Sequence, residues 1–109
     1  MSALVQTEQL VPGASLLTLQ RAERRNALSI ELLDQLCAAI DQLAEQGDQR
    51  VIILRGAGPV FSAGLDLREA MDDTLVDRSA AAVRRALQLV RTTPLITIAA
   101  VQGGAYAGG

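Results

Sequence analysis

Two glycine-containing segments are the parts of this sequence that could do chemistry. FSAGLDL (61–67) follows the apolar run VIIL, and VQGGAYAGG (101–109) continues the apolar run LITIAA. Glycine lets a backbone approach a ligand closely, and α/β folds commonly bind ligands where strands end. Two backbone N–H donors from separate loops form an oxyanion hole when they point at one carbonyl oxygen. Tight turns also need glycine, so these residues by themselves leave a purely structural role open.

The composition excludes most other catalytic sites. The chain of 109 residues has no His, and its ten cationic side chains are all Arg. Without His or Lys, a Ser–His–Asp triad, a Cys–His pair, a His metal site and a Schiff-base lysine are excluded, and no metal is expected. The lone Cys37 lies among apolar residues at helical spacing, which indicates a small core residue and not a nucleophile.

Phosphate-binding glycine motifs are excluded as well. GAGPVF (56–61) begins like a dinucleotide-binding fingerprint, but Phe61 occupies the third glycine position. Pro59 also stands where a phosphate-binding helix would need a backbone N–H. A P-loop requires a Lys that this chain does not contain.

Charge and hydropathy limit the partners. The net charge is −2 and no basic stripe runs along the chain, so we expect no nucleic-acid partner. MSALVQTEQL (1–10) lacks the basic flank and long apolar stretch of a signal peptide, and no apolar run reaches the roughly 18 residues of a membrane span. One thiol cannot form an intramolecular disulfide, in keeping with a reducing compartment. We therefore expect a cytoplasmic protein with no membrane partner.

The elements that must position the glycine segments follow from hydrophobic periodicity. Residues 5–10 and 15–20 are predicted to be strands that pair across a turn at Pro12–Gly13. An amphipathic helix is predicted over 30–46, with Ser29 as its N-cap and Gly47 after its end.

The second half of the chain repeats this alternation. VIIL (51–54) and LITIAAV (95–101) have the composition of buried strands, the first of them buried on both faces. Between them come a long loop and a second helix that ends before Pro94. The apolar stripe predicted for that helix comprises Val76, Ala80, Val83, Leu87 and Val90. Helices that alternate with apolar strands predict a single α/β domain with parallel neighbouring strands.

Three segments resemble one enzyme family in order and spacing. RRNALS (24–29), VIILRGAGPVFSAGLDL (51–67) and ITIAAVQGGAYAGG (96–109) are similar to the crotonase family, the enoyl-CoA hydratase/isomerase superfamily. The resemblance implies a ClpP/crotonase-type spiral of ββα units that is incomplete in this chain. It also implies an acyl-CoA thioester as substrate, with coenzyme A as part of that substrate, no permanently bound cofactor, and a homotrimer or hexamer.

The resemblance assigns the oxyanion hole to two backbone groups. These are the N–H of Leu65, which follows the family's glycine, and the N–H of Gly108. Because the donors belong to the backbone, a bulky Leu is tolerated where relatives often have Ala. Ala107 replaces the first glycine of the family's usual Gly-Gly-Gly, which is a departure from the pattern.

The resemblance also assigns residues to the CoA. Ala63, through its carbonyl, and Gly64 would line the path of the adenine and pantetheine. Asp66 is interpreted as a cap and loop former and not as a base. The full set of residues expected to bind the CoA is Arg24, Arg25, Ala27, Ala63, Gly64, Asp66, Leu67 and Arg68.

None of the residues assigned so far is expected to transfer protons. Family hydratases use two glutamates, and both positions would fall beyond Gly109. Glu69 is the nearest glutamate to the proposed site in sequence, and we expect it to lie solvated on the surface. The chain is therefore interpreted as the N-terminal part of a crotonase-like domain, without the C-terminal catalytic and trimerisation part.

Three hypotheses remain open at this point. The first is an enoyl-CoA hydratase type of enzyme that adds water syn to a 2-enoyl-CoA, or a sibling that catalyses isomerisation, hydrolysis or dehalogenation. The second is a non-catalytic CoA-ester binder, or a structural subunit that a partner completes. The third is a chain that does not fold independently.

Overall fold

The computed structural model describes residues 3–109, which form four strands, three α-helices and a short 3-10 helix at Ala22–Arg24. Met1 and Ser2, which begin the segment tested for a signal peptide, lie outside the described residues. The order along the chain is β1 (Val5–Val11), β2 (Ala14–Leu19), α1 (Ile30–Glu45), β3 (Val51–Gly56), α2 (Leu67–Ala70), α3 (Val76–Thr92) and β4 (Ile96–Ala100).

The four strands form one mixed sheet in the order β1-β2-β3-β4. The first pair is an antiparallel hairpin with Val5 opposite Leu19, and Gly13 turns it with φ of 87°. β2 pairs parallel with β3, and β3 pairs parallel with β4. The predicted hairpin and the predicted α/β class with parallel neighbours are both confirmed.

Helix α1 begins and ends as its sequence predicts. The Ser29 hydroxyl accepts a hydrogen bond from the Leu32 N–H at 3.1 Å, which satisfies one of the donors that every helix start leaves without a partner. Gly47 follows the helix with φ of 79°, the left-handed conformation that commonly ends helices. The apolar face of α1 packs on one face of the sheet and forms most of the core. Its buried residues are Leu32, Leu33, Leu36, Cys37, Ile40 and Leu43.

Helix α3 covers the expected range, but its contact face matches the predicted one only in part. Ser79, Ala82 and Ala86 are buried, whereas Val76 and Leu87 are exposed. The reason is packing: α3 lies against α1, and small side chains let the two helices approach closely. Of the predicted stripe, Val83 and Val90 are half-buried against the core, whereas Val76, Ala80 and Leu87 are exposed.

The prediction that β4 is a buried strand was wrong for this chain. Thr97 is half-buried and the other four residues of β4 are exposed, because β4 is an edge strand that pairs only with β3 among residues 3–109. β3 is also less buried than predicted. Ile52 lies in the core, whereas Ile53 on the opposite face is half-buried and Arg55 is exposed.

The loop after β3 contains a short helix that the sequence reading missed. Asp66 caps α2, and turns then lead to the start of α3 at Val76. In the part of the chain that the structure describes, none of the helices combines the length and the apolar composition that crossing a bilayer would require.

Candidate functional site

The two glycine segments lie side by side, as their positions after neighbouring parallel strands require. Ser62 and Ala105 form an isolated parallel β-bridge. The Tyr106 N–H donates to the Ser62 carbonyl at 3.0 Å, and the Phe61 N–H donates to the Gly104 carbonyl at 3.0 Å. The segments 61–67 and 101–109 therefore form one continuous backbone surface.

Gly64 and Ala107 are in close contact between the two segments. Gly64 has φ of 90°, and a Cβ added to it would lie 3.0 Å from the Ala107 carbonyl carbon. The Gly64 carbonyl carbon is bonded to the Leu65 nitrogen, and the Ala107 carbonyl carbon is bonded to the Gly108 nitrogen. Because each nitrogen belongs to one of these two peptide units, the fold places the Leu65 and Gly108 N–H groups in neighbouring positions.

Both of these N–H groups lack a hydrogen-bond acceptor among residues 3–109. On the other edge of the same segment, the Leu28 N–H donates to the Gly64 carbonyl at 2.7 Å, and the Asp66 N–H donates to the Leu28 carbonyl at 3.4 Å. This bridge fixes the backbone on either side of Leu65 and leaves the Leu65 N–H on the opposite edge. Leu65 is half-buried and Gly108 is exposed, so these two donors without a protein acceptor are open to a ligand oxygen.

A tight turn carries Gly108. The Gly109 N–H donates to the Tyr106 carbonyl at 2.7 Å, and both central residues have positive φ, 36° at Ala107 and 94° at Gly108. Such turns favour glycine at each central position. Ala107, the departure from the family pattern, therefore carries a left-handed backbone that a Cβ disfavours.

Asn26 joins the first loop to the rest of the site, a role that sequence reasoning missed. Its side chain is completely buried and donates to the carbonyls of Ala57, Val60 and Phe61 at 2.8, 3.1 and 3.1 Å. Its φ of 55° is also in the left-handed region, which Asn tolerates better than most residues. The only signal for this role in the sequence is that Asn26 stands between the charged run RAERR and the apolar residues Ala27 and Leu28.

Asp66 is committed to contacts within the protein. Its Oδ2 accepts from Arg21 Nη1 at 2.8 Å, and its Oδ1 accepts from the Arg68 and Glu69 N–H groups at 3.0 and 3.4 Å. Burial acts to raise the pKa of this carboxyl. The hydrogen bonds from Arg21, Glu69 and Arg68 and the charge of Arg21 outweigh burial and lower the pKa below its ordinary value. Its geometry is that of a cap and loop former, and its ion pair with Arg21 was not foreseen.

Glu69 is not the solvated residue that we expected. It is half-buried, and its Oε1 accepts a hydrogen bond from the Ile30 N–H at 2.8 Å. Ile30 is the first residue of α1, where a carboxylate is favoured by the partial positive charge of the helix terminus. Because α2 follows the first glycine loop, this contact ties that loop to α1.

A groove of about 410 Å³ collects most of the residues assigned to CoA. Arg24 and Arg68 are exposed at it, and neither forms an ion pair with any residue in the range 3–109. The Ala63 carbonyl accepts no hydrogen bond from the described residues. Arg25, which is exposed, and Gly64, which is buried, do not line this groove. The lining residues are Arg24, Ala27, Ala63, Leu65, Asp66, Leu67, Arg68 and Ala107.

A second, apolar groove of about 170 Å³ is lined in part by Gly108, the residue that follows Ala107 of the first groove. Gly108 and Gly109 form one end of it, and apolar side chains of the sheet, α1 and α3 form the rest. Leu87, left exposed by the packing of α3, is among them. Of the two candidate oxyanion donors, Leu65 thus belongs to the groove with cationic side chains and Gly108 to the apolar one.

No group of three or more His, Cys, Asp or Glu side chains within residues 3–109 is arranged to hold a metal ion. Cys37 is buried in the core, and burial raises the pKa of its thiol. The donor set of this site therefore consists of backbone N–H groups and Arg side chains.

Comparison with known proteins identifies the family. The model of the family described as enoyl-CoA hydratase/isomerase matches residues 12–109. The chain belongs to this family. Mouse enoyl-CoA hydratase domain-containing protein 3, mitochondrial, is 38% identical over 100 residues, which are 89% of this chain and 33% of that protein. Mouse methylglutaconyl-CoA hydratase, mitochondrial, is 37% identical over 100 residues, 89% of this chain and 32% of that protein.

A solved structure shows the same fold. The enoyl-CoA hydratase from Bacillus anthracis superimposes with a TM-score of 0.91 at 32% identity, over 98% of this chain and 43% of that one. The crotonase-type fold expected from the resemblance is therefore confirmed for the part of the fold that the chain covers. The chain spans about a third of the length of these two curated relatives.

Proposed function

We propose that this chain supplies the thioester-binding site of an acyl-CoA enzyme of the enoyl-CoA hydratase type. One observation carries the proposal: the peptide units that contain the N–H groups of Leu65 and Gly108 lie beside each other, and neither N–H has an acceptor among residues 3–109. Hydrogen-bond donors prearranged at a carbonyl oxygen stabilise the charge that develops on it, and one such donor can contribute about 3 kcal/mol to catalysis.

The two grooves suggest how the substrate lies. The CoA part would follow the groove with Arg24 and Arg68, since the guanidinium group matches phosphate geometry. The acyl part would enter the apolar groove beyond Gly108, and the thioester oxygen would accept from Leu65 and Gly108. Water would then add syn across the C2–C3 double bond through an enolate that the two donors stabilise.

The acid and the base of this reaction are not supplied by the nearest carboxyl groups. Asp66 is bonded to Arg21 and to backbone N–H groups, and Glu69 is bonded to the start of α1. Hydration needs one group that activates water and one that protonates the α carbon. These engaged carboxylates favour a second candidate function for residues 1–109 alone, the binding of CoA esters without turnover. The homotrimer or hexamer and the cytoplasmic location stay predictions.

Thermal unfolding with ligands tests the proposal. A ligand that binds only the folded protein stabilises it by about 2.7 kcal/mol at a hundred times its Kd. We expect butyryl-CoA and crotonyl-CoA to raise the melting temperature more than CoA does. Arg24→Gln should reduce all three shifts, while Arg91→Gln, at the exposed end of α3, should leave them unchanged.

A second readout, the enoyl absorbance of crotonyl-CoA incubated with the folded protein, separates the candidates. Loss of the enoyl absorbance of crotonyl-CoA would indicate hydration, whereas stabilisation without that loss would indicate a binder. Absence of any stabilisation by the thioesters would contradict both.

A further inference from the structure

Arg21 makes contacts that its place in the chain did not suggest. Its Nη1 donates to Asp66 Oδ2 at 2.8 Å and to the Ala27 carbonyl at 3.2 Å. The side chains of this ion pair are 14% exposed at Arg21 and 8% exposed at Asp66. Arg21 lines neither groove, so any effect on a ligand must pass through the residues that it contacts.

Those residues flank the first candidate oxyanion donor. Asp66 follows Leu65 directly, and its second carboxylate oxygen caps α2. Ala27 precedes Leu28, whose N–H and carbonyl bond to the backbone on either side of Leu65. One guanidinium group thereby fixes both strands of the small bridge that orients the Leu65 N–H.

Arg21 is itself fixed by Asn26. The Arg21 N–H donates to Asn26 Oδ1 at 2.9 Å, and the Asn26 N–H donates to the Arg21 carbonyl at 2.8 Å. The buried Asn26 side chain also bonds to the loop that follows β3. These bonds hold the Arg21 backbone in place. Its guanidinium group is therefore positioned more rigidly than in an ion pair between two flexible surface side chains.

We propose that Arg21 is a positioning residue, which acts through Asp66 and Ala27 to aim the Leu65 N–H at the thioester oxygen. This inference rests on the proposed function. Arg suits the task because its planar fork carries several donors in fixed directions, whereas Lys presents a single ammonium point charge. Loss of the fork should leave the CoA groove in place and misdirect one oxyanion donor.

The test measures the carbonyl stretching frequency of bound butyryl-CoA, labelled with ¹³C at the thioester carbonyl, by infrared difference spectroscopy. A purely structural role for Arg21 would not change this frequency. In the wild-type protein, the stretch of the bound carbonyl should shift to lower frequency. In Arg21→Met we expect that shift to fall by half or more, and the affinity for butyryl-CoA to fall about tenfold. The affinity for CoA, which has no thioester carbonyl, should stay within twofold.

Two further variants complete the test. Arg21→Lys keeps the charge beside Asp66, so it should fold even if Arg21→Met does not, and it should show an intermediate carbonyl shift. Arg85→Met is the matched control, because Arg85 pairs with Asp34 and Asp41 on the exposed surface of α1 and contacts neither loop. It should keep the wild-type shift.

The outcomes distinguish the two proposals. A wild-type carbonyl shift that persists unchanged in the folded Arg21 variants would overturn the positioning role alone. A wild-type protein that binds butyryl-CoA with an unshifted carbonyl would overturn the proposed function, and the positioning role with it.

Discussion

Gly64 lies directly against the backbone of Ala107, although 43 positions separate them in the chain. A Cβ on Gly64 would lie 3.0 Å from the Ala107 carbonyl carbon, closer than two carbons approach without a bond. This contact places the peptide unit of Leu65 beside the peptide unit of Gly108. The proposed oxyanion hole depends on it more than on any side chain at the site.

Gly64→Ala should destabilise the protein and disturb the thioester site together. The substitution adds a left-handed alanine, which costs about 1–2 kcal/mol, and the Cβ also collides with backbone that cannot move aside. Gly47→Ala is the matched control, since Gly47 has φ of 79° but no atom within 4 Å of its added Cβ. Chemical denaturation should show a loss about twice as large for Gly64→Ala. Equal losses would mean that the loops do not meet at Gly64.

Ala107→Gly should stabilise the turn that carries Gly108. Glycine removes the penalty of φ at 36° but adds freedom to the unfolded chain, so we expect a net gain of about 0.5 kcal/mol in the free energy of unfolding. Ala105→Gly has no positive φ to relieve and should instead cost stability. A loss in Ala107→Gly as large as in Ala105→Gly would contradict the conformation described for the turn.

Asn26 variants should separate backbone conformation from hydrogen bonding. At position 26, glycine adopts φ of 55° without strain and alanine does not. Both substitutions remove the hydrogen bonds to the carbonyls of Ala57, Val60 and Phe61. Because a buried group without a partner costs about 1–3 kcal/mol, both variants should lose at least about 3 kcal/mol of unfolding free energy. The difference between them should be about 1 kcal/mol. A small loss in Asn26→Gly would show that conformation, and not bonding, matters here.

The ion pair of Arg21 and Asp66 should make stability depend on pH in the acid range. The pKa of Asp66 is lower in the folded protein than in the unfolded chain, so the unfolded chain binds the proton first as the pH falls. The stabilisation is therefore complete above the ordinary Asp pKa of about 3.9 and is lost as the pH falls through the folded pKa.

Asp66→Asn tests this dependence. Asn keeps the capping acceptor but leaves the Arg21 charge without a partner, so we expect a loss of about 3 kcal/mol at pH 7. Denaturation at a series of pH values should show the gap from wild type narrowing below pH of about 4. Asp73→Asn, at an exposed carboxylate, should show no such gap. A gap that stays constant down to acid pH would exclude the ion pair as its cause.

The sequence predicted most of what local periodicity controls. The hairpin, the limits of α1 within one residue, its Ser29 cap and the parallel strands all follow from patterns within a few residues of one another. Burial in β4 was predicted wrongly, and the contact face of α3 was predicted only in part. Both depend on which elements pack together, and periodicity does not reveal that small residues such as Ala82 and Ala86 form a helix contact.

The contacts that support the candidate site could not be read from the sequence. Arg21 and Asp66 are 45 positions apart, and Ile30 and Glu69 are 39 apart. Each pair joins a charged residue, which in sequence looks solvated, to a partner that only the fold brings near. The glycine segments were predictable as loops, whereas the meeting of Gly64 with Ala107 required the three-dimensional structure.

The most direct measurement is the infrared frequency of a labelled thioester carbonyl bound to the wild-type protein. If the N–H groups of Leu65 and Gly108 both donate to the thioester oxygen, the carbonyl stretch will appear at lower frequency than in free butyryl-CoA. That shift will shrink in Gly64→Ala and persist in Gly47→Ala. A bound butyryl-CoA whose carbonyl frequency equals that of the free thioester would contradict the oxyanion hole.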